Sequence, residues 1–466
     1  MSKVFISHSR TVAGKRLDPE YHYALASIRI ESPYPCVKLL SLAYFKTGGT
    51  PSTINGEYWG GTLPWVSAKD FKEFRFEDSE DHITELAAKE ATTYVVDKPA
   101  LLMVSRSGIL QHSLPVMVTY KRAAINQDIK AFFPDSRVSV DYLGTYFDLL
   151  GKRLLPLLCK SGATVQSINT NELMNLQVPV PPPDVQRQLV AELDAAYAAK
   201  RKADEKAAEL LASIDDIVLE ALGIPPIPLA DTSLVARIFT VSSRDVADER
   251  LDAYYHQDYF RTIAKTIAID DRTMSLGKIG NFVRGVTYSA NDEENDGFAV
   301  LRANNVSLET GEIDLTDLVH VRRELCFDDA QRICSGDILI CAASGSKEHA
   351  GKVAYVEDDL GDAFAGGFMT ILRVEESVAM PRYVAVYMQS QIFRRLILRH
   401  LGGTNINNVS LGMLNALPII VPSKDEQEEI VAKVTSIRAT AKSLKADAQS
   451  ALVSAKKRIE ELILGV

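Results

Sequence analysis

Asp337, Glu348 and Lys352 form the one acid and base set whose types and spacing could support a nuclease, but Asp337 follows Gly336 at the start of an apolar run, where a turn aspartate is the plainer reading. The other patterns that carry chemistry are missing. Gly14-Lys15 is followed by Arg16 and lacks an upstream glycine, so no phosphate-cradling loop is present. There is no H-E-x-x-H, no G-x-S-x-G, no Asn-Pro-Pro-Tyr tetrapeptide and no Gly-rich loop of the kind amino-methyltransferases carry. His320, between Val319 and Val321, reads as a strand residue rather than a ligand. The five cysteines are odd in number and form no Cys-x-x-Cys, which indicates neither a disulfide framework nor a zinc site; they read as buried small hydrophobes in a reducing compartment. The chain reads as non-catalytic, with no metal and no cofactor of its own.

Two long helices stand out instead. Pro181, Pro182 and Pro183 end the extended run 176–180, because each lacks a backbone N–H, and a helix then carries apolar residues at alternating steps of four and three from Leu189 through Ile217 to Ala221. It stops near Gly223. The same unit returns at the end of the chain: an apolar run to Pro422, the capping box Ser423 to Glu426, and a seam from Ile430 through Ala451 and Ile459 to Leu462 before Gly465. Each helix runs to roughly 39 residues and about 58 Å. Each needs a partner for its stripe, and the economical partner is the other copy.

The duplication extends beyond the helices. Residues 16–22 answer 250–256, 45–50 answer 282–287, 65–70 answer 300–305, 101–108 answer 338–345, and 161–168 answer 402–409, at an offset of about 234 to about 241. Each half runs through short β-rich stretches (92–96, 101–104, 114–120 and 338–341 among them), then a helix at 141–155 or 381–398, a polar Gly-rich loop and the long helix. That order predicts an α+β fold with a pseudo-twofold internal repeat, two similar globules separated by two long helices that form an antiparallel coiled coil.

A length of 466 residues, 46% hydrophobic and 24% charged, describes an ordinary globular protein; no apolar run approaches membrane-spanning length and no signal peptide opens the chain, so a cytoplasmic location with no membrane partner is expected. A formal charge of −9 excludes a chain that is basic all over but leaves room for a local basic face, since much of the acid is confined to the first long helix and to 77–81, 292–296 and 357–362.

Gly48-Gly49-Thr50-Pro51-Ser52-Thr53, Glu57-Tyr58-Trp59-Gly60-Gly61 and Pro64-Trp65-Val66-Ser67-Ala68-Lys69-Asp70 closely resemble the target-recognition domain of specificity subunits of type I restriction-modification systems. The Pro-bounded runs that lead into Gln186 and into Glu426-Gln427 resemble that family's helical spacers. The second half departs from the first, with Val286 in place of the second glycine and no Trp-Gly-Gly. The resemblance implies recognition domains at 1–180 and 224–420 and spacers at 181–223 and 421–466. It implies a DNA-binding subunit of antiviral defence that reads a bipartite, asymmetric duplex target. It also implies two modification subunits, which carry S-adenosylmethionine and methylate DNA, and restriction subunits, which use ATP and Mg.

Base reading needs Arg, Lys, Asn, Gln and Ser on loops at groove level, with further cations on phosphates. The candidates are Lys69, Arg106, Ser107, Thr164 and Gln166 in the first half and Arg302, Asn304, Asn305, Ser344, Lys347, Asn405 and Asn407 in the second. Lys152, Arg153 and Lys160, matched by Arg394, Arg395 and Arg399, read as phosphate contacts or a solvated helix face. Trp59 and Trp65 read as core, with base stacking as the alternative. Two other functions remain open on the sequence: a coiled-coil scaffold that never touches DNA, and the specificity subunit of a combined methylation and cleavage (type IIB-like) enzyme.

Overall fold

A computed structural model of the chain describes residues 19–27, 31–159, 166–226, 231, 233, 235, 238–247, 250–401 and 407–465. The chain divides into two compact units, Met1–Ala203 with Ala446–Val466, and Asp204–Lys445.

In the first unit β1 (Ala43–Thr47), β2 (Ala100–Val104), β3 (Val116–Thr119) and β4 (Ile129–Pro134) form an antiparallel sheet in the order β1-β4-β2-β3. The run Ala100-Leu101-Leu102-Met103-Val104 has no polar side chain and no exposed one, so both of its faces must be covered. Leu101 and Met103 face the core under helix α1 (Val140–Leu158), while Leu102 and Val104 face a second core with Val66 and Ile125. The second unit repeats this with β5 (Gly280–Arg284), β6 (Ile338–Cys341), β7 (Val353–Tyr355) and β8 (Met369–Val374) in the order β5-β8-β6-β7. There Ile338 and Ile340 take one face and Leu339 and Cys341 the other. In each unit a smaller sheet carries one parallel pair, Trp59–Val66 with Ala123–Ile125 and Phe298–Leu301 with Ala363–Ala365.

The helix expected at 381–398 is two helices, α3 (Pro381–Gln389) and α4 (Gln391–His400). Ser390 breaks it: its backbone is extended, its buried hydroxyl donates to the Tyr387 carbonyl at 2.6 Å, and the next N–H, of Gln391, donates to Asp215 at 2.8 Å. Such local side-chain bonds compete with helix continuation.

The long helices are α2 (Pro183–Leu222) and α5 (Lys424–Leu464), 40 and 41 residues. In the first unit Leu189 and Leu193 of α2 share a core with Leu452, Ile459 and Ile463 of α5; in the second, Val218, Leu219 and Leu222 of α2 share one with Ile430, Val431 and Val434 of α5. The start of each helix meets the end of the other, which is antiparallel pairing. Gly223 and Gly465, at φ 71° and 72°, end them in the left-handed conformation that a Cβ disfavours. The seam departs from the expected one near the ends, where Leu452 and Ile463 are buried in place of Ala451 and Leu462. A straight helix drifts about 20° per heptad from a strict 3.5-residue repeat, and these last turns also pack on the globule's own core.

Three sequence readings are corrected. Cys36, Cys326 and Cys334 are exposed, leaving only Cys159 and Cys341 as buried hydrophobes. Asp337 is buried against Arg373, and the buried Lys352 ammonium donates to the Val306 carbonyl at 2.8 Å, so the acid and the base of the set are committed to separate structural contacts. The basic residues Arg394, Arg395 and Arg399 do not make a solvated row, because each packs inward as described below. Among the described residues no group of three potential metal ligands assembles, and no helix is long and apolar enough to cross a membrane.

Candidate nucleic-acid interface

Three loops meet at one end of each globule, and backbone hydrogen bonds fix them to one another. In the first unit the turn 126–128 before β4 is held by Asn126 N–H on the Val66 carbonyl (3.1 Å) and by its own Asp128 carbonyl, which accepts from Ser105 N–H (2.7 Å). In the second the turn 366–368 before β8 is held in the same way, Gly366 N–H on the Leu301 carbonyl (2.8 Å) and Ala342 N–H on the Phe368 carbonyl (2.8 Å). Beside each turn runs a two-residue ladder, Arg106–Ser107 with Gln166–Ser167 and Ala343–Ser344 with Asn407–Asn408. The third loop follows the small-sheet strand and is braced by a side chain, Asp70 accepting from Ser67 N–H and Asn305 from Arg302 N–H, both at 2.8 Å. Close approach at this end demands glycine: a Cβ on Gly48 would lie 1.7 Å from the Ile125 oxygen, and one on Gly285 2.1 Å from the Gly366 oxygen.

This frame sorts the expected residues. Lys69 is exposed and lies 2.9 Å from Asp81 and 3.2 Å from Glu80, and hydrogen bonds to those two carboxylates push its ammonium pKa up. Arg106 is exposed, its Nε 2.8 Å from Asp128. Exposed pairs of this kind are weak and screened by solvent, so a phosphate or base edge can replace the acid. Ser107 accepts from Ile109 N–H, and its backbone pairs with Gln166. In the second unit Arg302 and Asn304 converge on the well-exposed Asp317, at 3.7 Å and 3.2 Å, and Arg302 Nε is buried without a partner. Ser344 Oγ accepts from Ser346 N–H, while Lys347 is exposed with its ammonium 5.1 Å from the Tyr254 ring centre. Lys160, Thr164 and Asn405 lie outside the described residues, and Asn407 is placed by its backbone pairing with Ser344.

Several expected contacts are turned inward. Asn305 is 1% exposed, and its amide group is used by the Arg302 N–H and by the carbonyls of Asp314 and Asp317, so it braces the loop rather than facing outward. Arg399 donates to the Tyr255 carbonyl at 3.1 Å, with its guanidinium 3.8 Å from the Tyr255 ring centre, which anchors the segment before the second globule. Arg394 donates to the carbonyls of Ala350 and Lys347, and Arg395 is buried 4.1 Å from the Tyr259 ring centre; burial pushes both guanidinium pKa values down. On α1, Lys152 is exposed and Arg153 pairs with Glu460 at 2.8 Å. Trp59 and Trp65 meet edge to face at 5.1 Å and donate to the Ser52 and Gly49 carbonyls, so both are committed to the fold.

Gln127 and Phe368 also lie on these loops, and Tyr288, after β5, lines the same cleft as Phe368; none of the three is among the expected residues. Gln127 is exposed and accepts from the Thr50 hydroxyl at 2.6 Å. Phe368 is 72% exposed. The sequence 364–372 reads as a largely apolar stretch interrupted by two glycines and Thr370, and nothing in that pattern marks which aromatic side chain faces water.

The model of the family described as "Type I restriction modification DNA specificity domain" matches residues 32–210 and 270–451. Among curated proteins the chain is 35% identical over 148 residues to the type I restriction enzyme EcoR124I/EcoR124II specificity subunit of Escherichia coli, covering 32% of this chain and 37% of that one. It is 34% identical over 178 residues to the StySPI specificity subunit of Salmonella potsdam, covering 37% of each. The match thus spans well under half the length of either relative. Among solved structures it is similar to the S subunit of a type I restriction-modification system from M. genitalium, at 14% identity and TM-score 0.43 over 94% of this chain and 97% of that one.

Proposed function

From the premise that this chain belongs to the family of type I restriction-modification DNA specificity domains, we propose that it is a sequence-specific DNA-binding subunit in which each unit reads one half of a bipartite, asymmetric duplex target. The observation that carries this reading is the pairing of one frame with two loop sets. The same three loops are braced by equivalent bonds in both units, yet Asp128, Arg106 and Lys69 stand in one where Phe368, Ala343 and Asn304 stand in the other. Equal frames with unequal side chains would read unequal half-sites.

The chain contributes no catalytic group under this reading. It directs two modification subunits, which bring S-adenosylmethionine, and restriction subunits, which bring ATP and Mg, to the sequence it has bound. The length of the paired helices α2 and α5 sets the gap between the half-sites. Support for a binding role over an enzymatic one comes from Asp337, paired with Arg373, His320, in a strand, and Lys352, on the Val306 carbonyl, which serve three separate parts of the fold.

Exchanging residues 40–175 for those of another family member tests the reading. Sequencing the methylated sites of cells that carry the exchanged chain with its modification partner should show one half-site changed and the other kept. A change in both, or in neither, would refute modular reading, and binding that is insensitive to salt and to duplex sequence would favour a scaffold.

A further inference from the structure

We propose that Phe368 is a specificity-determining residue of the second unit, which reads a thymine by apolar contact with its 5-methyl group. The inference rests on the DNA-recognition reading above and deepens it by naming the residue and the base chemistry.

Phe368 is the most exposed aromatic side chain among the described residues of the second unit. It is 72% exposed, although it immediately precedes the strand β8, whose first four residues, Met369 to Leu372, are all buried. Its backbone is locked. The carbonyl accepts from Ala342 N–H at 2.8 Å and from Ala343 N–H at 3.2 Å, and the turn behind it is closed by Met369 N–H on the Gly366 carbonyl at 2.7 Å. Gly367 is tightly enclosed, since a Cβ there would lie 3.1 Å from the Thr287 methyl and 3.2 Å from the Val286 oxygen and would need both to give by a few tenths of an ångström. The fold therefore holds a phenyl ring in water on a rigid turn, which is preorganisation for contact rather than a loose surface side chain.

The occupant is argued from what surrounds the ring. Phe368 lines a cleft of about 470 Å³ with Tyr288, Arg302, Asn304 and Ala343. Arg302 and Asn304 are the residue types that hydrogen-bond guanine and adenine edges, and the apolar partner that fits beside such readers in the major groove is the thymine methyl. An apolar ligand unrelated to DNA would leave those polar groups without a role.

The first unit supplies the contrast. Register places Met369 opposite Cys341 and Ile129 opposite Val104, so Phe368 and Asp128 hold the same position in the repeat, and both carbonyls accept the equivalent N–H, from Ala342 and Ser105. Asp128 pairs with Arg106 at 2.8 Å beside Gln127, a polar reader where the second unit is apolar. One position thus carries a hydrogen-bonding group in one half and an apolar group in the other.

The test uses the full chain with its modification subunits and a pool of random-sequence duplex DNA. The wild-type chain should enrich a two-part motif with an invariant thymine in the half-site that survives exchange of residues 40–175. Phe368→Ala should lose the preference at that one base pair and bind the motif about ten-fold more weakly, the scale of one mismatched base pair in a duplex site, and Phe368→Leu should keep most of the preference. Deoxyuridine in place of that thymidine should weaken wild-type binding and leave Phe368→Ala unchanged, a readout that misfolding would not produce. If Phe368→Ala keeps the wild-type preferences, or the uridine substitution is neutral for the wild type, the inference fails while the recognition reading stands. If the wild-type chain enriches no motif, both fail together.

Discussion

The Gln186 amide oxygen on α2 accepts the backbone N–H of Ser139, the residue that caps α1, at 3.0 Å, and its amide nitrogen donates to the Arg137 and Pro181 carbonyls at 2.9 Å each. Gln427 on α5 makes the matching contacts to Met380 N–H and the Pro422 carbonyl, both at 2.8 Å. Both glutamines are nearly fully buried. Each long helix is thereby tied to the start of a helix in its own globule by a buried glutamine. Replacing either by Ala strands buried backbone groups, each costing about 1 to 3 kcal/mol. Denaturant unfolding should show that loss, and hydrogen exchange should place it in the unit that carries the substitution.

Glycine at the loop junction gives a sharper contrast. Gly48→Ala and Gly285→Ala force a methyl into a backbone oxygen, at 1.7 Å and 2.1 Å, with no flexible side chain able to yield. Overpacking of this kind costs about 1 to 3 kcal/mol or more. Gly56→Ala and Gly345→Ala meet nothing within 4 Å. Thermal melting of the four variants should separate them into two strongly destabilised and two near wild type, and four equal losses would contradict the close approach.

What the sequence made legible follows from what was periodic or duplicated. The seam from Leu189 and the box Ser423 to Glu426 foretold α2 and α5, because burying a stripe over forty residues leaves a repeat of three and four that no other structure would need. The offset of the two halves foretold β2 against β6 and Gly48 against Gly285. Side-chain direction on irregular loops was not legible. Asn304 and Asn305 are adjacent and chemically the same, yet one is exposed and the other braces the turn, a choice made by the Asp314 and Asp317 carbonyls that come from a separate stretch of chain. Arg399 failed for a related reason: the Tyr255 ring that captures it lies far away in sequence, on a segment that a helix-face argument never consulted.

Asp337 separates a structural from a catalytic role. Its carboxylate takes Arg373 Nε at 3.0 Å and the Cys334 N–H at 2.8 Å, and it is 3% exposed. Asp337→Ala leaves the Arg373 charge half-buried without its partner, at a cost of about 3 kcal/mol. DNA cleavage by the assembled system should fall only in proportion to the folded fraction, and Asp337→Asn should recover part of the lost stability. Abolished cleavage in a chain of wild-type stability would instead restore the nuclease reading.

His400 should make the second unit sensitive to mild acid. Burial, with the positive charges of Arg399 and Arg250 close by and only Asp252 opposing them, brings its imidazole down to about 4 from an ordinary value of 6.5. Its ring also stands 5.2 Å edge-on to Tyr255. Between those two values the unfolded chain binds a proton that the folded chain does not, so the stabilising difference is present above about pH 6.5 and is lost as the pH falls towards 4. One proton gives a slope of at most about 1.4 kcal/mol per pH unit. Urea unfolding followed across that range should show stability declining with acid in the wild type, and His400→Asn should flatten the decline while leaving the first unit's own pH response untouched. An identical slope in the variant would move the acid sensitivity to carboxylates, whose depressed values place their losses lower in pH, as for Asp270 held by Arg272.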